Sequence, residues 1–124
     1  LGLAIPPGAS TQTGTCTAMA ATELYAIMPH MHQLGTHMRV TFDGASGSRV
    51  LHDEPYAFND QRYRVLAPSQ AVQPDDVLTI DCGYDNPTSE TVHFGESTEE
   101  EMCFAITFTI PRITATLGSS FCVN

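Results

Sequence analysis

An all-β sandwich or jelly roll, stapled by two disulfides, is the fold class this sequence predicts. Three observations carry it. Short runs rich in β-branched and aromatic residues recur between turn signals. No long stretch places apolar residues at helical spacing, and eight prolines and nine glycines interrupt the chain throughout. Cys16, Cys82, Cys103 and Cys122 form an even set without a C-x-x-C pair, which argues for disulfides rather than a zinc knuckle or a thioredoxin-like motif.

Strands are expected near residues 24–32, 37–43, 63–67, 77–82, 91–94 and 102–110, with less marked ones near 10–16, 49–52 and 114–121. Gly44-Ala45-Ser46-Gly47, Gln73-Pro74-Asp75-Asp76 and Asp85-Asn86-Pro87-Thr88 supply the turn chemistry between them. With 124 residues and 42% apolar content, the chain is a single domain able to bury a core. No linker, repeat or low-complexity tract divides it.

A formal charge of −9 argues against nucleic acid or an anionic membrane as partner, since both call for a basic surface. No run approaches the ~20 apolar residues of a membrane span. Two disulfides, for which four cysteines allow three connectivities, point to a secreted protein in an extracellular or periplasmic setting. The opening Leu1-Gly2-Leu3-Ala4-Ile5-Pro6-Pro7 lacks both an initiator methionine and a basic leader region, so the chain is expected to be a processed or excised piece.

Two elements carry candidate chemistry. His30-Met31-His32 places two imidazoles two residues apart, hence on one face of an extended strand, where both can offer a nitrogen lone pair to one metal ion. Two ordinary histidines on a half-exposed strand would look the same. In Glu99-Glu100-Glu101-Met102-Cys103, an acidic run enters an apolar strand. Taken alone, its glutamates read as a solvated loop and Met102 as core packing. Of the other histidines, His37 is a candidate extra ligand, whereas His52 and His93 read as surface or turn residues. Tyr84 reads as a packing residue.

In order, Ile5-Pro6-Pro7, Cys16, His30-x-His32 with Gly35, Gln73-Pro74-Asp75-Asp76-Val77-Leu78, Cys82-Gly83-Tyr84, Val92, Gly95 and Glu100-Glu101-Met102-Cys103 span nearly the whole chain. This layout resembles the C-terminal, second catalytic domain of the ascorbate-dependent type II copper monooxygenases, the dopamine β-hydroxylase and peptidylglycine α-hydroxylating monooxygenase family. The resemblance implies an antiparallel β-sandwich of jelly-roll type, with disulfides Cys82–Cys103 and Cys16–Cys122. It implies one copper ion held by His30, His32 and Met102, with no catalytic residue beyond these ligands. Dioxygen would bind at the open position, a C–H bond of a small-molecule substrate would be hydroxylated, and ascorbate would be the external reductant. Two imidazoles with a soft thioether suit an ion that cycles between Cu(II) and Cu(I).

The sequence also departs from that family. Nothing matches its first domain, which holds a separate electron-transfer copper. Hydroxylation takes two electrons besides dioxygen and one Cu(I) gives one, so this domain alone should not sustain coupled turnover. Met28, Phe104 and Ile106 stand where peptidylglycine hydroxylases place arginine, asparagine and tyrosine. These replacements disfavour a peptidyl-glycine substrate and suggest a less polar one, or none. A non-catalytic extracytoplasmic copper binder or carrier is the alternative of a different class. A blue-copper carrier would need a thiolate, and a plain β interaction module would need no metal. One local question stays open: Met102 shares strand parity with Phe104, Ile106 and Phe108. It would face the core with them unless a bulge intervenes or the strand starts later.

Overall fold

A computed structural model describes residues 2–111 together with Cys122 and Val123. Its strands are β1 (Ala4–Ile5), β2 (Gly8–Thr17), β3 (Thr22–His30), β4 (Gly35–Gly44), β5 (Gly47–Pro55), β6 (Arg64–Val72), β7 (Val77–Asn86), β8 (Val92–His93), β9 (Phe104–Ile110) and β10 (Cys122–Val123). No helix interrupts the described residues, and none is long and apolar enough to cross a membrane. The expected strand near 114–121 lies outside the described residues. The other eight are present, most of them longer than expected.

Two four-stranded sheets, ordered β2-β7-β4-β5 and β10-β9-β3-β6, form a β-sandwich, and β1 pairs with β8 at its margin. Every pairing is antiparallel except the short β10–β9 contact. The chain passes repeatedly between the sheets, from β2 to β3 to β4 and again from β5 to β6 to β7. That winding is compatible with the jelly-roll type.

Strict alternation builds the inner faces. Leu78, Ile80, Cys82 and Tyr84 of β7 and Met38, Val40 and Phe42 of β4 are buried from one sheet. Leu24, Ile27 and Ala105 close over them from the other. Turn chemistry pins the register. Gly44 pairs with Gly47 across the β4–β5 hairpin, where Gly47 adopts φ +115°, and Asp75 adopts φ 74° in the turn before β7.

Both disulfides tie one sheet to the other. Cys16 on β2 joins Cys122 on β10, and Cys82 on β7 joins Cys103 just ahead of β9. These are the pairings the resemblance implied.

A bulge interrupts β3 ahead of His30. Leu24 pairs with Thr109 and Ala26 with Phe108, so Tyr25 is an extra residue against β9. Before the bulge Thr22 and Leu24 face the core; after it Ile27 and Pro29 do. Even-numbered Met28 and His30 are thereby carried to the outer face, paired with Ile106 and Phe104.

The same register answers the parity question at Met102. β9 starts at Phe104, after the methionine, and its core positions are Ala105 and Thr107, next to buried Cys103. Phe104, Ile106 and Phe108 lie half-buried on the outer face. Shared parity therefore does not send Met102 into the core, and it too is only half-buried.

Candidate metal centre

His30 is the last residue of β3, and His32 follows after the strand has ended. Their rings are nonetheless neighbours, with centroids 5.4 Å apart and planes at 83°. His30 is half-buried and stacks on Phe104 at 6.3 Å, while His32 is buried and meets the Phe58 ring at 5.9 Å.

Each imidazole is held by the nitrogen nearer the backbone. His30 Nδ1–H donates to Gln61 Oε1 at 2.7 Å, and Gln61 Nε2 donates to Phe58 O at 2.9 Å, which fixes the amide orientation. His32 Nδ1–H donates to the carbonyl of Glu100 at 2.9 Å. Because an oxygen acceptor on Nδ1 requires the proton there, the lone pair of each neutral ring sits on Nε2. Metal-ligating histidines almost always donate their other ring N–H in this way.

The segment from 31 to 35 is tightly turned. Gly35 N–H donates to His32 O at 3.2 Å. A Cβ at Gly35 would stand 2.8 Å from Met31 Cβ and 3.0 Å from the Tyr56 ring, so this position requires glycine for space. Tyr56 Oη donates to Met31 O at 2.6 Å and accepts from Met31 N–H at 3.1 Å, clamping the residue between the two histidines.

Across from this turn lies the segment bearing Met102. Tyr84 Oη donates to Met102 O, anchoring the methionine backbone to β7. Burial pushes the phenols of Tyr84 and Tyr56 above their ordinary range, with the nearby carboxyl of Glu101 adding to the effect. Both therefore remain hydrogen-bond donors. Tyr84 packs as expected, almost wholly buried in the core.

The acidic run departs from its expected role as a solvated loop. Glu99 is exposed and Glu100 half-buried, but Glu101 is fully buried. Its Oε1 accepts from His32 N–H at 2.8 Å and from Met102 N–H at 3.4 Å, and its Oε2 accepts from Leu34 N–H at 2.8 Å. Buried carboxyls are tolerated only with such partners, and two of the three, His32 and Leu34, are remote in sequence.

The remaining histidines divide. His37 on β4 pairs with Asp53 at 3.0 Å, and His93 is exposed on β8. His52 is a correction: it alternates inward on β5 and is buried rather than a surface or turn residue. Burial pushes its pKa below the ordinary histidine value and outweighs the opposing pull of Glu54, 3.6 Å away. The unfolded chain then takes up a proton at higher pH than the folded one. Stability that is intact above pH 6.5 should decline as pH falls below it toward the folded pKa. The melting temperature should drop between pH 7 and pH 5, and by less in His52→Gln.

Among the described residues no group of three or more His, Cys, Asp or Glu side chains could hold a metal ion. Gln61, Glu101, Tyr56 and Phe58 escaped the sequence reading, and only Glu101 stood inside a recognised motif.

Residues 2–122 match the family model described as copper type II ascorbate-dependent monooxygenase, C-terminal domain. Mouse DBH-like monooxygenase protein 1 is 28% identical over 94% of this chain and 22% of its own length. Dog dopamine beta-hydroxylase is 33% identical over 82% of this chain and 18% of its own. The chain thus spans about a fifth of the length of these relatives.

Proposed function

The chain belongs to the family of copper type II ascorbate-dependent monooxygenase C-terminal domains, and on that premise we propose that it is the dioxygen-binding copper domain of such an enzyme. His30, His32 and Met102 are the proposed ligands. The observation that carries this reading is the pair of neighbouring imidazoles, each committed at Nδ1 and so with its lone pair at Nε2. The thioether of Met102 supplies the donor that His, Cys, Asp and Glu do not. Its softness suits Cu(I), the imidazoles suit either oxidation state, and three protein ligands leave a position for dioxygen. Bound copper would supply the one-electron redox chemistry that activates dioxygen for attack on a C–H bond.

The chain's own residues define the surroundings. Phe104 pairs with His30, and Ile106 with Met28, on the outer face of the sheet. That face favours an apolar substrate portion over a peptide carboxylate. Hydroxylation consumes two electrons besides dioxygen, so coupled turnover calls for a second source. A separate electron-transfer copper domain, fed by ascorbate, is the proposed one. Two disulfides and the family together fit an oxidising, secretory setting.

The test is copper titration with X-ray absorption of the reduced protein. One copper with two nitrogen neighbours and one sulfur is expected. Met102→Ile should weaken Cu(I) by about tenfold or more and Cu(II) by much less, because the soft donor favours the reduced ion. Equal loss of both would rule out the thioether.

A further inference from the structure

We propose that Glu101 is the positioning residue that sets the separation between the histidine turn and Met102, and so the preference of the centre for reduced copper. The inference rests on the ligand set proposed above and goes beyond it by naming what holds the set together. Glu101 is a buried strap: one oxygen serves His32 N–H and Met102 N–H, the other Leu34 N–H. Its backbone is fixed independently, because Glu101 N–H donates to His93 O at 3.0 Å and Gly95 N–H donates to Glu101 O at 3.2 Å. A side chain so anchored transmits the position of the methionine segment to the histidine turn, 69 residues away in sequence.

Stability alone is a poor reason for this residue. A fully buried carboxyl carries a large desolvation cost, which its hydrogen bonds from three N–H groups serve to offset. What an apolar side chain lacks is reach with direction: two oxygens, each aimed at a defined N–H. The acceptors also satisfy amides that would otherwise be orphaned at the turn. The three N–H groups share one chemistry, all donors, so the arrangement requires an acceptor at both ends of the side chain. Glutamine has the same shape but sets an NH2 against a backbone N–H at one end.

Glu101→Gln in the full chain is therefore the experiment. The variant should keep both disulfides and a β-type circular dichroism spectrum. Cu(II) affinity should stay within about threefold, because the two imidazoles keep their Nδ1 partners. Cu(I) affinity should fall about tenfold or more, and the sulfur neighbour should weaken or vanish in the X-ray absorption of the reduced protein. A purely structural residue would lower the melting temperature and leave the Cu(I)-to-Cu(II) ratio and the sulfur neighbour unchanged; that result overturns the proposal while sparing the ligand assignment. A wild-type protein without a sulfur neighbour overturns both. Should Glu101→Gln not fold, the wild type carries the test. Coupling is reciprocal, so Cu(I) should slow amide exchange at Leu34 about tenfold in the wild type and not in Met102→Ile. Equal slowing in the two overturns the strap.

Discussion

His30→Ala should leave a folded protein that no longer retains stoichiometric copper. Only one imidazole and one thioether would remain, a set too weak to compete with buffer and water for Cu(II). Removing a partner behind a ligand costs ten- to a hundredfold in metal affinity, so losing the ligand itself should cost more than about a hundredfold. His30 is half-buried at the end of β3, and its removal frees a Gln61 amide still tied to Phe58 O, so the melting temperature should move little. His32→Ala should lose copper to the same extent but behave differently in a melt. His32 is buried, and its loss orphans the Glu100 carbonyl and uncovers the Phe58 ring, at a cost on the order of 1–3 kcal/mol. Metal analysis of both purified variants beside their thermal melts would check the pair. Stoichiometric copper in either variant would remove the histidines from the centre.

Reduction of both disulfides should unfold the domain. The Cys82–Cys103 bridge spans 21 residues and Cys16–Cys122 spans 106. Restriction of the unfolded chain by loops of such lengths is worth roughly 3 and 4.7 kcal/mol respectively. Single domains have about 5–15 kcal/mol in all, so losing both bridges removes most or all of the margin. The paired variant Cys82→Ala with Cys103→Ala should stay folded at 25 °C with a lowered urea midpoint. It should also lose Cu(I) affinity selectively, because Cys103 is the residue next to Met102. Urea titrations with and without a thiol reductant, on wild type and paired variant, separate the two contributions. Unchanged midpoints after reduction would show that the core alone sustains the fold.

How much of this was legible beforehand depended on range. The strands announced themselves because alternation and turn residues such as Gly44–Gly47 and Asp75 act over a few positions. His30 and His32 were legible for the same reason, as two side chains of one short segment. The disulfide pairing was not derivable from spacing, since four cysteines leave three connectivities open, and it came through the resemblance. What escaped was set by partners far away in the chain. Gln61 meets His30 from 31 positions on, and nothing local marks it. Glu101 looks like the end of a solvated acidic run until His32 and Leu34 arrive opposite it. His52 reads as a surface residue because its burial depends on what packs above β5. Tyr25 is an ordinary aromatic until pairing with β9 shows that it has no opposite number.

That unmatched tyrosine makes the length of one strand a determinant of chemistry. The side to which His30 projects depends on a single surplus residue upstream, five positions away. Deleting Tyr25 would close the bulge and leave every later side chain on its present side, whereas pairing Tyr25 regularly, with no bulge, would exchange inside for outside along the remainder of the strand. The imidazole of His30 would then face the aliphatic interior, and Pro29 would face solvent. A survey of related chains should accordingly find the bulge absent wherever the interval between Thr22 and His30 is shorter by one residue.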